Sequence, residues 1–311
     1  MEPICRPTDS PFVSCSGYAS RQYAESLEEF GTVLKLPACG GWLLTSRTPN
    51  SNLRDATGCY PLFCCQDWAA LQIDLESLAQ SLVSVRIVTD PFANVGITEL
   101  KAAFPDVCYE YKQHFITDLS LPLESIVASH HGRNVRKAIK TLTVRQTTDD
   151  AELLTEWQRL YDNLVVRHEI NGIARFSPLA FERQANVPGF TAFSASDGES
   201  TCGITLWYVQ GDVVYYHLGA YSDHGYERGA SFALFWSALS HFASIGIRWA
   251  ALGAGAGLKS ADSGLTRFKS GWATHTRPVY FCGRILQPVA YAKLAGDVGV
   301  SPGFFPAYRA A

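Results

Sequence analysis

The chain has 311 residues, a length that favours two domains of ordinary size. With 47% hydrophobic and 18% charged residues it reads as globular rather than disordered. A formal charge of −3 excludes a generally basic nucleic-acid binder, so any RNA contact must come from a local patch.

The N-terminus, Met-Glu-Pro-Ile-Cys-Arg-Pro, lacks the charged-then-apolar order of a secretory signal. The first half alternates strand-like and helix-like pieces. Trp42–Thr45 is short and apolar, and the polar, turn-rich stretch from Thr45 to Gly58 reads as a loop. Trp68, Leu71, Leu75, Leu78 and Leu82 recur at helical spacing within Asp67–Leu82. Val83–Val88 reads as a strand, Ile97–Phe104 as a short helix, and Cys108–Thr117 as an alternating strand. Leu119–Ser129 is the expected junction, giving domains 1–120 and 121–311.

A helix over Gly132–Lys140, a strand over Thr143–Gln146 and a long helix over Asp149–Glu169, capped by Asp149 or Asp150, follow. Ser177-Pro178 opens another helix through Ala185. Three strands then read as a meander: Phe190–Ser194, Cys202–Val209 and Val213–Gly219. The longest apolar run, Phe232 to Ala250, is broken by Ser237, Ser240, His241, Ser244 and Arg248. It therefore reads as a buried helix, spanning Arg228–Ile245, and not as a membrane span. Arg248–Leu252 is a strand.

Nine cysteines occur with no C-x-x-C pair and no zinc-like histidine spacing, so buried thiols in a reducing cytoplasm and no metal are expected. Leu252-Gly-Ala-Gly-Ala-Gly257 fails as a phosphate-binding P-loop, because Leu258 stands where a glycine must precede Lys259. It reads as a close-packing turn. Arg133, Arg136, Lys137 and Lys140 share one helical face, which suits either a solvated surface or a phosphate-binding patch. Alternation over Tyr215-Tyr216-His217 puts Tyr216 on one face and its neighbours on the other. His217 is a candidate general base for an incoming ammonium.

The most informative segment is Ser263-Gly-Leu-Thr-Arg-Phe-Lys-Ser-Gly-Trp272, which runs into the strand Thr276–Ile285. Its Gly-Leu-x-x-Phe-Lys-x-x-Trp pattern resembles the signature of the FemABX transferases, which carry two acetyltransferase-like (GNAT) domains. The resemblance implies an α/β (α+β mixed sheet) fold of tandem GNAT-like domains, the first short and diverged. It also implies an enzyme that moves an aminoacyl group from aminoacyl-tRNA to a small-molecule or peptide amine, with no further cofactor. Lys269 would stabilise the tetrahedral intermediate, a task that a cation in a dry cleft performs well, and Phe268 would line the site. Tyr216 would face substrate, and Arg175, or Arg167 in its place, would contact an anionic part of the acceptor. Arg133, Arg136 and Lys137 would hold phosphate. At the start of the central helix, Arg228 and Gly229 occupy the place where acetyltransferases grip pyrophosphate. The expected first-domain aspartate is Asp55, Asp67 or Asp90. An acyl-CoA-dependent N-acyltransferase and a non-enzymatic RNA- or partner-binding module are the alternative readings.

Overall fold

The computed structural model describes residues 15–147, 151–255, 264–297 and 304–310. Its centre is a mixed sheet of eleven strands among these residues. The strands are β1 (Thr32–Lys35), β2 (Trp42–Arg47), β3 (Arg54–Gly58), β4 (Ser84–Val88), β5 (Val107–Asp118), β6 (Thr143–Thr147), β7 (Phe190–Ser196), β8 (Thr201–Gln210), β9 (Val213–Tyr221), β10 (Trp249–Gly253) and β11 (His275–Ile285). They lie in the order β1-β2-β3-β4-β11-β5-β10-β9-β8-β7-β6. Only the β3–β4 and β9–β10 pairs among them are parallel. The sheet interleaves the two halves of the chain: β11, from the second half, lies between β4 and β5 of the first.

Each face of the second half carries helices. Ala151–His168 and Pro178–Ala185 bury Leu153, Trp157, Tyr161 and Phe181 against Tyr208 and Tyr215 on one face. Ser129–Ala138 and Ala230–Ser244 bury Val135, Phe235 and Phe242 with Trp207 and Trp272 on the other. Ser177 caps its helix by accepting from Ala180 N, with Pro178 at the first turn. The proposed cap at Asp149 or Asp150 lies outside the described residues, as do residues 256–263 of the glycine loop and motif. Among the described residues no helix is long and apolar enough to cross a membrane. All eight described cysteines are thiols, five of them buried.

Two expectations are corrected. The stretch from Thr45 to Gly58 is not a loop but most of an antiparallel hairpin, β2–β3. Its polar residues hide the strand because Asp55 is buried in an ion pair with Arg309, at the far end of the chain. The helix expected over Arg228–Ile245 runs over Ala230–Ser244, and a separate short helix, Asp223–Arg228, precedes it. Gly229 between them adopts φ 71° and ψ 36°, a left-handed conformation that suits glycine and ends the first helix.

Candidate active site

A cleft of about 830 Å³ opens over the middle of the sheet. It is built where the ladders break. Trp207 pairs with Tyr216 and Leu206 with Leu218, leaving His217 as an extra residue in β9. Leu252 is extra in β10 and Tyr111 in β5 by the same count. Such bulges bend strands and re-aim side chains, and they concentrate beside active sites. Here Tyr111 and His217 both line the cleft. Pairing of β9 with β10 stops at Ala251–Tyr215. Past that point Tyr216, His217, Gly253 and Ala254 all meet the cavity.

Lys269 enters this cleft from the helix Gly264–Ser270 and is 6% exposed. The motif around it is a mounting. Phe268 packs edge-on against Phe235, ring centroids 4.8 Å apart, and against His131 and Trp272. Trp272 is fully buried, and its carbonyl accepts from the Thr117 hydroxyl at 2.9 Å. The ring of His131 donates from Nε2 to the Phe268 carbonyl at 2.9 Å. That ring also fills the space a side chain at Gly271 would need. Successive helical residues point about 100° apart, so anchoring Phe268 and Trp272 in the core turns Lys269 to the cavity. Phe268 therefore holds the helix and does not line the cleft, which corrects the role its resemblance implied.

Lys269 Nζ donates to the Ala254 carbonyl at 2.8 Å and lies 5.5 Å from the Tyr216 ring centroid. An ammonium has three donors, so two remain for a substrate. Burial, with a smaller push from Lys112, brings its pKa down to about 7. Gly253, at φ +75°, brings the backbone close: a Cβ there would sit 3.1 Å from Nζ. Gly253→Ala would impose a left-handed alanine, at about 1–2 kcal/mol, and displace the ammonium. We expect a transfer rate lower by about tenfold, measured as kcat beside a urea unfolding curve. An unchanged kcat would show that the Lys269 position is not critical.

Tyr216 packs against Trp207 and Phe235, while Tyr215 and His217 meet Tyr18 on the opposite face, as strand alternation requires. His217 is not available as a general base. It is 8% exposed, and its Nδ1 and Nε2 are engaged by Tyr18 Oη at 3.0 Å and Gln184 Oε1 at 3.2 Å. The amide oxygen only accepts, so Nε2 carries the proton and the tyrosine donates to Nδ1. Burial pushes its pKa down to about 3.

The basic residues expected to bind substrate lie elsewhere. Arg133, Arg136 and Lys137 are exposed on the outer face of Ser129–Ala138. Arg175 is exposed beside Ile173, which lines the cleft. Arg167 pairs with Asp223 at 3.2 Å. Arg228 is exposed, and the Gly229 amide donates to the Tyr226 carbonyl at 3.1 Å, so it does not face a pyrophosphate. Among the three candidate aspartates, Asp55 lines the cleft, Asp67 is exposed and accepts from Ala69 N, and Asp90 accepts from the Tyr215 hydroxyl at 2.9 and 3.0 Å. Outside the cleft, donor atoms of Asp197, Cys202 and His224 lie within 4.8 Å of one another, a grouping that sequence spacing does not reveal.

Sequence reasoning missed Lys112, His114, Arg86 and Arg309, which all line the cleft. Lys112 and His114 were legible as polar side chains two apart on an alternating strand, but not as residues of a central one. The only lining carboxylate among the described residues, Asp55, is held by Arg309 at 2.6 and 2.7 Å and by Tyr308 at 3.0 Å. Arg86, Lys112 and Lys269 thus leave the cleft positive in a chain of net charge −3.

Residues 129–270 match the acetyltransferase (GNAT) domain family. The crystal structure of FemX superimposes with a TM-score of 0.67 at 16% identity, covering 88% of this chain and 93% of that one. Residues 129–270 thus form a GNAT domain, and the chain shares the fold of FemX. The C-terminal domain of a putative lysylphosphatidylglycerol synthetase from Agrobacterium fabrum shares this fold, with TM-score 0.63, 14% identity and coverage of 91% and 93%. So does L-PGS from Bacillus licheniformis, with TM-score 0.56, 13% identity and coverage of 89% and 96%. No curated protein matches the sequence.

Proposed function

We propose that this protein is an aminoacyltransferase that joins an aminoacyl group from aminoacyl-tRNA to an amine, forming an amide. The observation that carries the reading is Lys269: a buried lysine with no carboxylate partner among the described residues, fixed at the cleft by a dedicated aromatic mounting. The fold shared with FemX and with a putative lysylphosphatidylglycerol synthetase, whose name denotes a lysyl group on a lipid, supports it.

The acceptor amine attacks the carbonyl carbon of the aminoacyl ester. Negative charge gathers on the carbonyl oxygen, and the free donors of Lys269 stabilise it. The C–O bond to the ribose then breaks, and the amine proton leaves with the ribose hydroxyl. An ester is already activated for aminolysis, so the reaction calls on no further cofactor. The acceptor is a cell-wall precursor or a small biosynthetic amine, and an anionic part of it suits the positive cleft.

Acyl-CoA is the competing donor. The Gly229 amide, where acetyltransferases bind pyrophosphate, is spent within its own turn, which disfavours it. The test offers charged total tRNA and a mixture of acyl-CoAs separately, with an extract of small amines as acceptors, and reads products by mass spectrometry. Aminoacyl amides formed from the tRNA pool alone are expected. Products from acyl-CoA alone would overturn the donor assignment.

A further inference from the structure

We propose that Lys112 and His114, beside Lys269, form a seat for one phosphate group, supplied by the terminal nucleotide of the donor. The two residues are two apart on β5 and both line the cleft that receives Lys269. His114 is 9% exposed, and its Nδ1 is buried without a hydrogen-bond partner among the described residues. A buried polar atom left unpaired is a standing cost to the fold, and in a cavity wall it points to a ligand. Burial, with lesser pushes from Lys269 and Lys112, takes the His114 pKa down to about 3. The ring is therefore neutral at physiological pH and presents one N–H donor and one acceptor.

Lys112 is half-buried, with Nζ 5.1 Å from the Tyr111 ring centroid and no ion-pair partner among the described residues. Its charge pushes against Lys269. The carboxylate of Asp55 is already engaged by Arg309 and Tyr308, so no lining carboxylate among the described residues neutralises this pair. An anion between the lysines turns that repulsion into two attractions, and phosphate oxygens suit an ammonium and an imidazole N–H together.

The position of the seat favours one source of phosphate. In an ester on the 3′-terminal ribose of RNA, the 5′-phosphate of the same nucleoside is one sugar ring from the reacting carbonyl. In acyl-CoA, the nearest phosphate lies beyond the whole pantetheine arm. A phosphate seat adjoining the lysine of the reacting carbonyl fits the nucleotide ester.

This inference rests on the aminoacyl-tRNA reading, but its test needs no turnover, so each can fail alone. Binding of AMP, adenosine and inorganic phosphate would be measured by calorimetry on the full chain. AMP should bind about tenfold more tightly than adenosine, the scale of a charge-assisted hydrogen bond. Lys112→Met and His114→Phe should bring AMP down to the level of adenosine, leave adenosine unchanged, and unfold in urea as cooperatively as the parent. Lys112→Arg should restore most of the preference. Equal binding of AMP and adenosine, no binding of AMP, or an AMP preference that survives both substitutions would overturn the proposal. Inorganic phosphate lost on Lys112→Met without any AMP preference would assign the phosphate to the acceptor, and would overturn the donor source.

Discussion

Lys269→Met is expected to give a protein that is more stable than the parent and nearly inactive. The loss of a pre-placed donor to the tetrahedral intermediate should lower kcat by about 10²–10³-fold. The gain in stability follows from titration. Burial holds the folded pKa at about 7, against 10.5 for an unperturbed lysine. The folded state thus disfavours the charged form. That cost is complete below about pH 7, shrinks as pH rises, and vanishes above the unfolded pKa. At about 1.36 kcal/mol per unit it amounts to roughly 4–5 kcal/mol at pH 6 and about 2 kcal/mol at pH 9. Methionine nearly matches the shape of the lysine stem, and the Ala254 carbonyl it leaves unpaired takes back about 1 kcal/mol. The variant should therefore gain roughly 3–4 kcal/mol at pH 6 and about 1 kcal/mol at pH 9, read from urea unfolding at both. Destabilisation with no pH trend would mean that the lysine is not held in a dry site. A lysine kept at such a cost is a residue whose position serves chemistry rather than folding.

The second large effect concerns the ion pair of Asp55 and Arg309, which also line the cleft. Arg309→Met should destabilise the fold by about 3 kcal/mol. Asp55 is 4% exposed, and Arg309 reaches both its oxygens while also donating to Ser46 Oγ at 2.8 Å and the Arg47 carbonyl at 2.7 Å. Removing the guanidinium leaves a buried carboxylate with only hydroxyl donors, Tyr308 and Ser46. The same arginine ties residues 304–310 to the β2–β3 hairpin, and Phe304 lines the cleft. Urea unfolding at neutral pH measures the effect. A change under about 0.5 kcal/mol would place this pair among surface ion pairs of little consequence.

What the sequence revealed and what it hid differ by the range of the interaction. The segment Gly264–Trp272 was legible because a helix, an apolar anchor at Phe268 and Trp272, and the cation Lys269 beside Phe268 lie within nine residues. The helix Ala151–His168 carries its own periodicity and Pro178–Ala185 its own cap, so local chemistry placed them within a few residues. The β2–β3 hairpin was not legible, since Asp55 makes sense in a strand only once Arg309 is beside it, 254 residues away. The bulges at Tyr111, His217 and Leu252 were hidden for a related reason: an extra residue exists only relative to a neighbouring strand. His217 has the chemistry of a base, but Tyr18 and Gln184, far away in sequence, occupy both its nitrogens. The basic face of Ser129–Ala138 was legible as charge, yet only the fold shows that it stands apart from the cleft.

In the proposed reaction Lys269 meets the carbonyl of an aminoacyl group borne by a nucleotide. The most direct measurement is a crystal structure with a 3′-aminoacylamino-adenosine 5′-phosphate, in which a stable amide replaces the ester. The amide is expected in the cleft, its carbonyl oxygen about 3 Å from Lys269 Nζ and its ribose toward Lys112 and His114. An analogue bound outside the cleft, or in it with the carbonyl turned away from Lys269, would contradict the account.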